Sequence, residues 1–431
     1  MRSRWPVVVA VAVVVLGVPG VVVARKAAGL RELGTPVRQV TTDAPAPAAL
    51  PAAGAPVRWT VRSDGRVTDV AVLPARGLVI YVEEVAHRSW RATAVDGRTG
   101  AVRWSNARSH TGHIEAWAVT DAAVVLAYHH SASRLAWRTH RAASFEGIDP
   151  VSGKVLWTRH VYNLLGARPG DYAPTLAGPA ENIVYARTEF GVPNAVDTRT
   201  GQTLWEYPGL NDCQARADEI VAGPGGVAIS QRCPKGKERI ALVNPHTGKA
   251  LWKLDISTPS LRLLAVGSDS VAVYQGGLIQ QVIILGPGGV AGAQIPCACS
   301  DGAALAAGSL GGTVLAGGPA GGRIGVGGYL LLGGPFGLVG ADGETGKILW
   351  QKPVAGGPVH RVMTQDGDAH IVSGDGALLR VNPADGAMKV LVPVAGGDLD
   401  PDAIVVPVGG YLAAGSAKGF AFTGPLADSG V

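Results

Sequence analysis

Charge is scarce in this 431-residue chain: 16% of its residues are Asp, Glu, Lys or Arg, whereas 47% are apolar. So long and apolar a chain has material for a sizeable core, which excludes an extended disordered protein. Cysteine is scarce as well, four in all, and that excludes a miniprotein dependent on disulfides. No window of about fifteen residues carries a clean helical period, so long helices and coiled coils are excluded. Glycine is abundant instead, 61 residues with 29 Pro. It lacks the every-third-residue period of collagen.

The basic charge is local. Arg2, Arg4, Arg25, Lys26, Arg31 and Arg38 stand against Glu32 and Asp43, which places +4 of the chain's +5 in residues 1–45. The remainder is close to neutral and offers no basic face for nucleic acid. No nucleic-acid partner is expected.

Near the N-terminus Trp5 to Ala24 is twenty uncharged residues, mostly Val and Ala. That length spans a hydrocarbon core as a helix. Val22-Val23-Ala24 has the small-residue spacing of a cleavage site, so secretion after cleavage near Ala24 is the alternative. Arg25 and Lys26 follow at once, and the run is long for a signal peptide, so a retained membrane anchor is preferred. No Cys follows that could carry a lipid. The basic residues after the segment are at least as many as those before it, which by itself would leave the rest of the chain in the cytoplasm. The Ala/Pro-rich run TTDAPAPAALPAAGAP at 41–56 reads instead as a spacer lifting an exported domain off a membrane, and the four cysteines agree. The expected organisation is an anchor at 1–24, a linker at 25–56, a folded domain at 57–424 and a tail at 425–431.

That domain is built on one recurring phrase. It reads AVDGRTGAVRW at 94–104, GIDPVSGKVLW at 147–157, AVDTRTGQTLW at 195–205, LVNPHTGKALW at 242–252 and GADGETGKILW at 340–350. RVNPADGAMKV at 380–390 is a weaker copy, and ILGPGGVAGA at 284–293 keeps little beyond its glycines. Intervals of 40 to 57 residues between the turn glycines, filled with short apolar hairpins, indicate a propeller or solenoid. The acid or amide (Asp96, Asp149, Asp197, Asn244, Asp342) can hold the amides of the turn it opens. The glycine four residues on (Gly100, Gly153, Gly201, Gly248, Gly346) closes that turn in the left-handed conformation. The tryptophan beyond it (Trp104, Trp157, Trp205, Trp252, Trp350) places a flat ring on the outermost strand, against the neighbouring sheet. Recurrence in nearly every copy marks these residues as architecture rather than sugar-binding or catalytic groups.

The phrase closely resembles the tryptophan-docking motif of pyrroloquinoline quinone (PQQ)-type β-propeller repeats, over nearly all of residues 57–424. The resemblance implies an all-β propeller of four-stranded blades, the phrase joining strand C to the outer strand D. It also implies kinship with quinoprotein dehydrogenases, outer-membrane assembly scaffolds and membrane-anchored exported proteins of actinobacteria. Val57-Arg58-Trp59 looks like the end of a phrase with nothing before it, and the last segment of the chain lacks a terminal Trp strand. Trp59 is therefore expected to complete the final blade and close a ring of eight.

All the C–D turns then share one face, and binding groups are expected opposite. There the B–C loop of blade 2 holds Arg134, Trp137, Arg138, His140 and Arg141, suited to an anionic partner. The connection before blade 2 holds His110, His113 and Glu115, a loose and weak zinc spacing. His160, Tyr162 and Arg168 follow in the connection to blade 3, and His129 and His130, adjacent on a strand, point to opposite faces. Cys213 and Cys233 are placed for a local bridge at blade 4, whereas Cys297 and Cys299 are close-set for one. Catalytic PQQ dehydrogenases carry a disulfide between adjacent cysteines, a calcium-binding acid and amide set and a catalytic Asp. No Cys-Cys pair, long insertion or carboxylate cluster is visible here. The expectation is a non-catalytic, membrane-tethered extracytoplasmic scaffold, without cofactor or metal, for a protein or an anionic cell-envelope ligand. The alternative is a PQQ-dependent quinoprotein oxidoreductase.

Overall fold

The computed structural model describes residues 36–41, 47–50, 57–86, 89–108, 111–130, 143–161, 176–180, 182–187, 192–207, 213, 217–223, 225–233, 237–257, 261–276, 280–296, 329–334, 337–357, 359–365, 368–392, 404–408, 411–416 and 418–424. They form eight antiparallel sheets, the blades of an all-β propeller. Blade 1 spans 66–108, blade 2 111–161, blade 3 176–206, blade 4 217–256, blade 5 261–296, blade 6 329–352 and blade 7 359–392. In each, strands A to D follow chain order from the axis outward; blade 6 shows strands B to D among the described residues. Blade 8 is composite. Its strands Ile404–Val408, Tyr411–Ser416 and Gly419–Gly424 take Val57–Arg62 as their outer strand, in register from Val57 opposite Gly424 to Arg62 opposite Gly419. The first strand of the domain thus closes the ring, as the unpaired Trp59 phrase implied.

The burial patterns follow from position in a blade. Middle strands are covered on both faces by adjacent blades, and Gly226–Arg232 accordingly buries all but its last residue. Outer strands have one wet face: in Ala250–Ile256, Trp252 turns inward while Leu251, Lys253 and Asp255 are exposed. The apolar core is therefore spread around the ring as clusters between neighbouring blades. Trp104, Leu126 and Ile148 join blades 1 and 2; Tyr185, Trp205 and Ile229 join blades 3 and 4. Val70, Tyr81, Tyr411, Phe420 and Phe422 join blades 8 and 1.

The linker is partly built into the propeller. Pro36–Thr41 forms a fifth strand on the outside of blade 1, antiparallel to Val102–Arg108. PVRQVT has the alternation of a strand, and the outer edge of a blade offers unpaired backbone groups to receive it. Leu50 is buried between blades 8 and 1, and its amide donates to the Pro74 carbonyl at 2.8 Å. The apolar segment 5–24 and the tail 425–431 lie outside the described residues. Among the described residues no helix is long and apolar enough to cross a membrane.

Candidate functional site

One face of the ring carries the repeated turns. In blade 2 the Asp149 carboxylate accepts the amides of Val151 at 3.0 Å and Ser152 at 2.6 Å, and the Gly153 amide donates to the Asp149 carbonyl at 2.9 Å. Asp96, Asp197, Asn244 and Asp342 do the same in blades 1, 3, 4 and 6. The turn glycines Gly100, Gly153, Gly201, Gly248 and Gly346 have φ between 67° and 73°, a region costly for other residues. The Thr345 amide and hydroxyl, ahead of the Glu344 amide, hold the Asp342 carboxyl below the usual carboxylate range. A depressed folded-state pKa means that the turn contributes stability above the ordinary carboxylate pKa and loses it as pH falls through the depressed value. Asp342→Asn should therefore keep the turn, as Asn244 does in blade 4, and flatten the fall in melting temperature on acidification.

The tryptophans stitch each blade to the next. Trp104 of blade 1 lies flat on Gly153 of blade 2, where an added Cβ would come within 2.5 Å of the ring. Its indole N–H donates to the Pro150 carbonyl at 2.8 Å. Trp59, Trp157, Trp205 and Trp350 repeat this on the turns of blades 1, 3, 4 and 7, donating to Gly97, Thr198, Pro245 and Pro383. The decayed phrase of blade 5 breaks the pattern. Trp252 still packs near Gly289, but its buried indole N–H has no hydrogen-bond partner. The backbone there folds into a short 3-10 turn at Pro287–Gly289, whose Pro287 carbonyl accepts the Val290 amide. Blade 5 itself supplies no tryptophan to blade 6, and Ile284 occupies the space beside Gly346.

The other half of each strand is where the buried charges gather. The Glu83 carboxylate, fully buried, accepts from Arg91 at 2.6 Å and from the Ser63 hydroxyl. Glu146 is also fully buried; it accepts from Arg108 of the neighbouring blade and from the Tyr128 hydroxyl at 3.3 Å. Burial, and then the Glu146 charge, push the Tyr128 hydroxyl far above its ordinary range, so it stays a donor. Glu219 accepts the Leu263 amide at 2.5 Å and pairs with Arg262 at 3.3 Å, tying blade 4 to blade 5. Sequence reading missed these pairs; the signal was an acid inside a largely apolar strand, alone in Ala143–Ile148 and paired with a second acid in Leu78–Ala86 and Ala217–Gly223. A buried carboxylate left unpaired is costly, so the Glu83 and Glu146 pairs hold their strands in place, whereas Glu219 and Arg262 are partly exposed.

Of the residues read as partner-binding, Arg134, Trp137, Arg138, His140 and Arg141 lie outside the described residues, as do His110, Tyr162, Arg168, Cys297 and Cys299. His113 and Glu115 are corrected: they belong to the innermost strand of blade 2, Thr111–Val119, not to a loop. The polar–apolar alternation of that segment was the overlooked signal. His160 likewise falls within a strand, Val155–Val161. Cys213 and Cys233 are joined as a disulfide, linking the connection into blade 4 to the end of its second strand. A bridge across 20 residues stabilises by roughly 3 kcal/mol through loop entropy. Reduction, or Cys233→Ala, should lower the melting temperature accordingly, and an unchanged transition would show the bridge to be energetically idle.

Eight blades, with tryptophans docked on the turns of their neighbours, define a tryptophan-docked β-propeller. The sequence model of the family described as outer membrane protein assembly factor BamB matches residues 141–295 and 236–391, more than half of the chain. The chain belongs to this family of PQQ-like β-propeller repeat proteins. No curated protein matches it in sequence. Among solved structures, the computationally designed Ika8 protein aligns at a TM-score of 0.50 and 14% identity, over 84% of this chain and 96% of that one. BamB from Moraxella catarrhalis aligns at 0.42 and 15%, over 91% and 99%. Saccharomyces cerevisiae Sqt1 aligns at 0.49 and 13%, over 88% and 98%. The family name raises a quinone, which the described residues do not fit. Cys213 and Cys233 are not adjacent, Glu83 and Glu146 are committed to arginines, and no group of three or more metal-ligating side chains occurs among the described residues.

Proposed function

We propose that the chain is a non-catalytic scaffold, tethered to the cell membrane by residues 5–24, whose extracytoplasmic propeller binds a protein or an anionic envelope ligand. One observation carries this reading: the turn face is consumed by tryptophan docking, so the opposite face is the one free to recognise a partner. That face is held rigid by buried ion pairs and carries the longest connections, the arrangement in which loops on a stiff frame recognise partners. The Cys213–Cys233 bridge supports an oxidising compartment. The family description, an outer-membrane assembly factor, supports an assembly role in the envelope.

The test is capture of partners from the host envelope by the full chain and by a variant with Arg134, Trp137, Arg138 and Arg141 changed to Ala. The variant should lose the partner and keep the wild-type melting curve, because loop tips add little to the core. Retention of the partner at physiological salt would refute the blade 2 loop as the binding surface. In a parallel arm, PQQ and calcium should leave the absorption spectrum a simple sum. A stoichiometric bound quinone with dye-linked alcohol oxidation would reverse the assignment.

A further inference from the structure

The outer edge of blade 8 differs from the other described edges. Its strand Val57–Arg62 turns Arg58, Thr60 and Arg62 outward, all exposed, with no carboxylate between the two arginines. On the other free edges that carry a docked tryptophan, the outward positions next to it and beyond it are Leu156 and Thr158, Leu204 and Glu206, Leu251 and Lys253, or Leu349 and Gln351; in blade 1 Arg103 and Ser105 stand there, on a strand whose edge Pro36–Thr41 covers. Exposed Lys418, in the turn before strand Gly419–Gly424, adds a third cation beside Arg62. No carboxylate among the described residues pairs with any of the three; the exposed Asp64 lies beyond Arg62, on the connection to blade 1. Arg62 and Lys418 both line a shallow cleft of about 270 Å³, with Thr60, Gly415 and Gly419 also in its lining. A Cβ on Gly415 would strike the Phe420 backbone at 2.5 Å, so this part of the lining is necessarily bare backbone.

The route of the chain brings the tether to the blade that adjoins this edge. Pro36 pairs with Arg108, at the end of the blade 1 outer strand away from the repeated turns. Arg62 and Lys418 sit at that same end of the adjoining blade. Residues 25–35 lead from the apolar segment to Pro36 and span at most about 40 Å when fully extended. They carry Arg25, Lys26 and Arg31 against Glu32 alone.

We propose that the outer edge of blade 8 rests on an anionic phospholipid surface, with a headgroup phosphate held between Arg62 and Lys418. The proposal builds on the reading of residues 5–24 as a retained anchor. Each basic side chain near such a surface strengthens contact about fivefold, and three together about a hundredfold.

The test uses the full chain reconstituted in phosphatidylcholine vesicles with and without phosphatidylglycerol, read by amide hydrogen exchange. Exchange over 57–62 and 411–424 should slow only with phosphatidylglycerol, recover at high salt, and stay unchanged over the blade 4 edge at 250–256. The variant R58Q/R62Q/K418Q should lose the protection with an unaltered melting curve. If glutamine at these sites perturbs folding, Arg58→Lys with Arg62→Lys must retain protection that a Lys418→Glu change removes. Equal exchange in both vesicle types, or protection that survives the charge changes, overturns the proposal. Protection by inorganic phosphate without vesicles makes the cleft a soluble-anion site and overturns membrane docking. Resistance of the chain in pure phosphatidylcholine to carbonate extraction reports on the anchor alone, so failure of the anchor and failure of the edge are distinguishable.

Discussion

Trp104→Ala should destabilise the propeller by about 3–5 kcal/mol, the range for truncating a fully buried tryptophan. Trp104 has no exposed surface, lies over Gly153 and donates to the Pro150 carbonyl. The loss is large against the roughly 5–15 kcal/mol that holds a folded domain together. Trp252→Ala is the internal control. Trp252 is 8% exposed and its indole N–H is buried without a partner, so truncation removes packing and also relieves an unmet donor. Denaturant titration should therefore rank Trp104→Ala well below Trp252→Ala in stability. Equal losses would mean that the inter-blade hydrogen bond contributes nothing.

Deleting residues 1–62 should be more damaging still. It removes the outer strand of blade 8, the Trp59 indole bonded to the Gly97 carbonyl at 3.0 Å, and the stacking of Trp59 on Phe422 at 4.9 Å. Strand Gly419–Gly424 is left with an open edge, and aggregation should follow. Deleting residues 1–50 is a milder change but not a silent one, since the strand Pro36–Thr41 and buried Leu50 go with it. The expected order of melting temperatures is intact chain, then the 1–50 deletion, then the 1–62 deletion far below. Coincident transitions for the two deletions would show that the ring does not depend on its N-terminal strand.

These expectations rest on features legible in the sequence to different degrees. The phrase spacing marked a repeat architecture of short hairpins, and the resemblance of the phrase to the PQQ-type repeat pointed to a propeller closed by Trp59, because the turn chemistry is local. An Asx residue, a left-handed glycine four positions on and a tryptophan four beyond that define a hairpin whatever lies around it. Strand membership was also readable where alternation was respected, and the misplacement of His113 and Glu115 came from overlooking it.

What pairs with what across blades was decided by the tertiary structure. Nothing in the segments around Arg108 and Glu146, 38 residues apart, announces that they meet; the ring brings them together. The same holds for Leu50 against Pro74, for Pro36–Thr41 against blade 1, and for Arg62 beside Lys418 at the far end of the sequence. Local turn geometry is a property of a few consecutive residues and can be read directly. The sites at the blade ends depend on register and ring closure between segments distant in sequence, and only the assembled propeller fixes those distances.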